Sequence, residues 1–137
     1  MTYKVKAYEM YQEVEVLALY ASVGWANYTR EPEMLRLAFK HSLKIFAAFV
    51  GEQLVGIIRA VGDGYSVVFV QDLLIHPDFQ RLGIGRKLLN HIQAEFTDVY
   101  QLHLMTDDTE KTLSFYRSLG FEPVSEMGAS ALTWIKK

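Results

Sequence analysis

The sequence predicts an α/β domain in the order βααβββαβαβ, built on a central mixed, mostly antiparallel twisted sheet of roughly six to seven strands with about four helices. Three observations carry that expectation. The middle of the chain holds three runs rich in β-branched and aromatic residues, "LKIFAAFV", "LVGIIRAV" and "YSVVFVQDLLIH", parted by the turn-forming "GEQ" and "GDG". Apolar residues recur at helical spacing on either side of that block. Strands then bracket both of the later helices.

Taken in order, "YKVKAY" alternates as an opening strand. Val14, Leu17, Ala18 and Ala21 repeat at helical spacing until Gly24 stops them. Pro32 suits the first turn of a second helix, whose apolar face continues through Leu35, Ala38, Phe39 and Ser42. "GWANYTRE" joins the two helices. After the three central strands, Ile84, Leu88, Leu89, Ile92 and Phe96 form one stripe of a third helix. "VYQLHLM" reads as a strand. "DDTEKTLSFYRSLGF" reads as the fourth helix, with Asp107 and Glu110 spaced as a capping pair and Gly120 at its end. "SALTWIKK" closes as a strand.

No Ser/Gly-rich linker, charge block or repeat divides residues 1–137, so one domain is expected. Half the residues are hydrophobic and 22% are charged, a globular balance. Fourteen basic residues against 16 acidic ones leave a formal charge of −2, so any positive field is local and no nucleic-acid or membrane partner is expected. Cysteine is absent, which removes disulfides, thiolate metal sites and a cysteine nucleophile. The histidine spacing gives no metal signature. "MTYKVKAYEM" lacks a signal-peptide core, and no apolar run approaches the ~18 residues of a membrane helix. A cytoplasmic protein is the expectation.

The most informative stretch is "QRLGIGRKLLNHI", residues 80–92, where a strand runs through a glycine turn into a helix. A helix N-terminus offers unpaired N–H groups and about half a positive charge. Gly83 and Gly85 would let an anion approach the backbone, and Arg81, Arg86 and Lys87 add charge beside it. An ordinary turn, with glycines for geometry and arginines for solubility, is the alternative. Neither the P-loop pattern nor the dinucleotide G-x-G-x-x-G pattern fits, since Leu88 stands where the third glycine would be.

"LLIHPDFQRLGIGRKLL" resembles the acetyl-CoA-binding motif of the GNAT N-acetyltransferase superfamily, Q/R-x-x-G-x-G/A, matched by Gln80 through Gly85. "LSFYRSLGFEPV" resembles that family's next helix and strand, and the element order agrees from end to end. The resemblance implies acetyl-CoA as cosubstrate. It implies backbone contacts to the pantetheine arm from Leu73, Leu74 and Ile75, beside a strand bulge, and a pyrophosphate cradle from Arg81, Leu82, Gly83, Ile84, Gly85 and Arg86. Thr109 stands where the family often has an asparagine that contacts the carrier.

The implied reaction is direct attack by a bound primary amine. At pH 7 an amine of pKa ~10.4 is almost wholly protonated, and freeing its lone pair costs roughly 4 kcal/mol. The site therefore needs a proton acceptor for the amine and an acid for the departing thiolate. Tyr116 occupies the family's acid position, or else packs as a core tyrosine. Asp72 could hold the ammonium, accept its proton through water, or merely pair with a nearby backbone donor. His103 is a weaker candidate base, and His76, beside Pro77, reads as exposed. Trp25 and Tyr28 suit an acceptor pocket for an arylalkylamine or similar small cation, or anchor their loop on the core. "SVGWANYTRE" and "LAFKHSL" faintly resemble a subgroup that includes plant-type serotonin acetyltransferases. The leading expectation is a small-molecule amine acetyltransferase. The alternatives are a protein or peptide N-acetyltransferase and a non-catalytic acyl-CoA-binding sensor. Homodimers are common in the family, and no residue in the sequence identifies an interface.

Overall fold

The computed structural model describes residues 2–136, and the chain forms two compact units, Met1–Leu104 and Met105–Lys137. In the first, five strands lie side by side in sequence order: β1 (Lys4–Ala7), β2 (Lys44–Val50), β3 (Gln53–Gly62), β4 (Val67–Ile75) and β5 (Gln101–Leu104). The first three pairings are antiparallel: short turns join β2 to β3 and β3 to β4, whereas a helical segment between Ala7 and Lys44 returns the chain beside β1. The β4–β5 pair is parallel, as a crossover through helix α4 (Ile84–Glu95) requires. Asp63 fixes the β3–β4 turn by accepting from the backbone N–H groups of Tyr65, Ser66 and Val67 and from the Ser66 hydroxyl. These four bonds hold its carboxyl far below the usual carboxylate range.

Each face of the sheet is covered. Ile45, Ala47, Ile57 and Leu74 pack with Val16, Leu19 and Tyr20 of α1 (Glu13–Ser22) and with Leu35 and Phe39 of α3 (Pro32–Lys40). On the opposite face, Gly56 lets α4 settle closely: a Cβ there would stand 3.1 Å from Ile84 and 3.0 Å from Ile75. The α4 stripe is buried at Ile84, Leu88, Leu89 and Ile92, as its spacing predicts, and Phe96 follows as the C-cap.

Helix α1 differs from expectation. Its buried residues are Val16, Leu19 and Tyr20, whereas Val14 is 86% exposed. "EVEVLALYAS" is apolar on several sides, so periodicity alone does not select the inward one. "GWANYTRE" also contains a short helix, α2 (Ala26–Thr29), which brings the α-helix count among the described residues to five rather than four.

The second unit holds α5 (Glu110–Arg117) and a 3-10 turn at Val124–Met127. The helix is capped by Thr109, whose hydroxyl accepts from the Thr112 N–H, and not by the expected Asp107–Glu110 pair. Gly120 ends the segment with φ +93. The expected closing strand is absent among the described residues, as is one at "FEPV", leaving five strands rather than six to seven. Pro123 lacks the N–H a ladder needs, and residues 125–136 are all exposed, with no packed face to hold them in a sheet. Lys137 lies outside the described residues.

Candidate functional site

Strand β4 is irregular where the sequence places the site. Arg59 pairs with Asp72 and Ala60 with Val70, so Gln71 is an extra residue on β4. β5 accompanies β4 only from Val67 to Val70. From Gln71 onward, no strand among the described residues pairs with that edge of β4. The His76 N–H donates to the Val55 carbonyl at 2.8 Å. Alternation from that bond turns the backbone groups of Leu74 toward β3 and those of Leu73 and Ile75 toward the open edge. The Gln80 side chain donates to the Ile75 carbonyl at 3.2 Å. Of the three residues expected to offer backbone groups, Leu73 and Ile75 thus face the opening and Leu74 does not.

Past Ile75 the chain makes a 3-10 turn, Pro77–Phe79, with the half-buried His76 accepting the Asp78 N–H at its Nδ1. It then enters the glycine turn. Arg81 has φ +66, a left-handed conformation uncommon outside glycine, and Gly83 has φ +83 as the N-cap of α4. No side chain caps this helix, and the first intrahelical bond runs from the Lys87 N–H to the Gly83 carbonyl. The amides of Ile84 and Gly85 therefore have no acceptor within the helix. A Cβ at Gly83 would meet only the Tyr3 hydroxyl, at 3.8 Å, so the approach to these amides is open. Gly85 has no positive φ; it is the second residue of the helix, and its lack of a side chain, not its dihedral freedom, serves the approach. Arg81, Leu82 and Arg86 are exposed around the turn. These residues suit a diphosphate: unpaired amides at a positive helix end, unobstructed, with arginines beside them.

Asp72 sits on β4 just after the bulge, 2% exposed, facing Arg59, itself 4% exposed. Its Oδ2 accepts from Arg59 Nε at 2.8 Å and from the Tyr20 hydroxyl at 2.8 Å, and its Oδ1 accepts from the Tyr28 hydroxyl at 2.9 Å. Arg59 also donates to Ser42 Oγ at 3.2 Å and lies over the Phe39 ring. Burial, and then the Asp72 charge, push the Tyr20 phenol far above its ordinary value. The same two causes raise Tyr28. Both phenols are therefore neutral donors to a carboxylate already paired with a guanidinium. Asp72 is thus paired with nearby donors, and these are three side chains rather than the backbone group the sequence suggested.

Trp25 and Tyr28 belong to the same aromatic group, with Tyr20 edge-on to both. Trp25 precedes α2 as its N-cap residue, and Tyr28 lies within α2. In the second unit, Tyr116 packs edge-on against Phe115 and Phe121. Burial raises its phenol above the ordinary value and the nearby Asp107 charge adds to this, against an opposing hydrogen bond from Thr106. The Thr109 hydroxyl is engaged as the α5 cap and with Thr112 Oγ1 at 2.9 Å. His103 lies half-buried on β5. Among the described residues no cluster of His, Cys, Asp or Glu could hold a metal.

Three members of the buried network, Arg59, Tyr20 and Ser42, have no signal in the sequence. Tyr20 is 52 positions from Asp72, and only the bulge pairing brings Arg59 opposite it. An open cavity of about 640 Å³ lies next to the network and shares Phe39 and Ser42 with it. Arg36, Lys40 and Lys44 line it against Glu9, and so does Tyr11, whose buried hydroxyl has no partner.

Comparison with known proteins agrees with this geometry. The family model described as an acetyltransferase (GNAT) domain matches residues 41–123. An uncharacterized N-acetyltransferase, ycf52, of Porphyra purpurea is 32% identical over 88% of this chain and 67% of its own length. The chloroplastic serotonin N-acetyltransferase 2 of rice is 31% identical over 75% of this chain and 52% of its own. The chain thus spans between about half and two-thirds of these relatives. An acetyltransferase of the GNAT family from Streptococcus pneumoniae superposes with a TM-score of 0.90 at 44% identity, over 99% of both chains.

Proposed function

The chain belongs to the GNAT acetyltransferase family, and on that premise we propose that it is an acetyl-CoA-dependent N-acetyltransferase acting on the primary amine of a small molecule. The observation that carries the cosubstrate is the uncapped start of α4, with Gly83 in a left-handed N-cap and open space above it, directly after a strand whose edge is free beyond Gln71. Leu73 and Ile75 would hold the amide groups of the pantetheine arm as a further strand would. The amides of Ile84 and Gly85, with Arg81 and Arg86, would hold the diphosphate.

When bound, acetyl-CoA supplies a thioester whose acyl carbon is open to attack by an amine. Tyr116 would supply the proton for the departing sulfur, while the amine's proton leaves to water. The phenol is protonated at neutral pH in any case, and burial, by raising its pKa, makes it a weaker acid than a free phenol. Asp72 acts by position: clamped by Arg59, Tyr20 and Tyr28, it fixes the bulge that opens the β4 edge. The acceptor is assigned to the Trp25–Tyr28 side of β4. The cavity beside Tyr11 is lined by Lys40 and Glu9 and by Arg36 and Lys44, which pair with Glu33 and Glu95, and so offers an ammonium group no unpaired excess of carboxylates. A small arylalkylamine fits aromatic walls, and the rice relative is named for serotonin acetylation.

The test is thiol release from acetyl-CoA against a panel of arylalkylamines, other small amines and peptides, with calorimetric titration of CoA alongside. Release with small amines is expected. Release with peptides alone would overturn the acceptor assignment, CoA binding without any release would overturn the catalytic one, and no CoA binding would overturn both.

A further inference from the structure

Arg86 and Lys87 stand in the first turn of α4, where there is no acidic residue. Positive charge at the positive end of a helix is unfavourable until an anion joins it. The fold also brings a hydroxyl to that point from the far side of the sheet. It belongs to Tyr3, which lies just before β1 and far from the glycine turn in sequence.

The sheet decides which side Tyr3 takes. Along β1, Val5 stands opposite Ala48 and Ala7 opposite Phe46. The Phe46 ring packs against His91 of α4, with ring centroids 5.1 Å apart, so this face of β1 is the α4 face. Lys6 points the other way, over Phe49, which packs on the core under α1 and α3. A period of two puts Tyr3 with Val5 and Ala7 on the α4 face. From there the half-buried Tyr3 extends to the start of α4. Its hydroxyl lies 3.8 Å from the place a Gly83 Cβ would take. Among the described residues it is the one group from outside the turn within 4 Å of that place, and it has no hydrogen-bond partner among them.

The distances close around a single phosphate group. By standard backbone geometry the Ile84 nitrogen is ~3.4 Å from such a Cβ, hence at most roughly 7 Å from the Tyr3 hydroxyl. A phosphate that accepts bonds of ~2.9 Å on two of its oxygens bridges donors up to roughly 8 Å apart. Resting on the assignment of CoA to this turn, we propose that Tyr3 is a further ligand of the CoA diphosphate. Its hydroxyl donates to an oxygen of the phosphate that also accepts from the Ile84 amide. Phosphate oxygens are acceptors at neutral pH, so the phenol is the donor. The diphosphate is thereby held from two sides, by the helix end and by the strand at the opposite border of the sheet, and a residue outside the glycine motif contributes to the affinity.

Calorimetric titration of the wild-type and Tyr3→Phe chains tests this, with CoA and with CoA lacking its ribose phosphate. The substitution removes one oxygen and keeps the ring, so the melting temperature without ligand should not change. CoA affinity should fall about 10-fold or more, as for a hydrogen bond to a charged group. The fall should be the same for both ligands, because both keep the diphosphate. Equal affinity of the two chains for CoA would overturn the Tyr3 contact and leave the cosubstrate reading standing. A fall seen only when the ribose phosphate is present would also overturn it, since the contact would then be to that group. Failure of the wild-type chain to bind CoA would bring down the cosubstrate reading and the Tyr3 contact together.

Discussion

Replacing Gly83 with alanine separates backbone strain from loss of ligand. The position has φ +83, where an L-residue other than glycine costs roughly 1–2 kcal/mol. Part of that is offset because alanine also restricts the unfolded chain, by about 0.4–1 kcal/mol. No clash is added, since the new Cβ would lie 3.8 Å from the Tyr3 hydroxyl and near nothing else. The net loss of about 1 kcal/mol should lower the melting temperature by roughly 4 °C. Binding should suffer more. A methyl group over the Ile84 and Gly85 amides, or a turn that relaxes out of the left-handed region, removes at least one charge-assisted hydrogen bond of ~1.5–3 kcal/mol. That is about 10- to 150-fold in CoA affinity. Gly51→Ala is the matched control: its φ is +60, nothing lies within 4 Å of the added Cβ, and it sits in the β2–β3 turn. Both variants should melt a few degrees early, and calorimetric titration should show weakened CoA binding in Gly83→Ala alone. Equal CoA affinity in the two variants would refute the assignment of the diphosphate to the start of α4.

Three further outcomes are expected. Arg59→Met leaves the Asp72 carboxylate buried without its cation, and urea denaturation should show a loss of about 3–5 kcal/mol, much of it recovered when Asp72→Leu is added. Alkali should destabilise the fold from about pH 10, because the unfolded chain sheds its tyrosine protons there while the raised phenols of Tyr20 and Tyr8 keep theirs, so unfolding becomes easier as pH rises. Tyr20→Phe should flatten that dependence in denaturation curves between pH 9 and 11 (roughly the span around the free phenol value). Tyr116→Phe should lower kcat about 100-fold or more with little change in CoA affinity, and unchanged turnover would remove the acid role.

Much of the fold was legible because local signals agreed with one another. The central strands fall where β-branched runs and glycine turns place them, and Ile84, Leu88, Leu89 and Ile92 face the sheet as their spacing requires. The glycine turn was legible too, since its geometry depends on residues adjacent in sequence. Helix α1 was misjudged because Val14 and Leu17 are as apolar as Val16 and Leu19; only the tertiary neighbours select a side. The closing strand failed for a related reason. Residues 130–135 have strand composition but no partner strand among the described residues, and a strand exists only in a pairing.

The bulge at Gln71 shows most clearly what a sequence hides. The segment Val67–Ile75 alternates between buried and less buried residues throughout, as though one face of a regular strand were inward. Yet Val68 and Val70 stand opposite Gly62 and Ala60, on the α4 side, whereas Asp72 and Leu74 stand opposite Arg59 and Ile57, on the side of α1 and α3. The extra residue moves the strand from one face to the other, and burial continues because both faces are covered. That shift delivers the Asp72 carboxylate to Arg59, Tyr20 and Tyr28. It falls where β5 stops accompanying β4. One inserted residue thus sets both the buried charge network and the start of the free strand edge. Deleting Gln71 would make Val70 and Asp72 neighbours opposite Ala60 and Arg59, so the ladder should become regular with Asp72 still on the Arg59 side. Calorimetric titration should then show weaker CoA binding in the deletion than in Gln71→Ala, whose side chain is exposed, and equal affinity would refute the role given to the bulge.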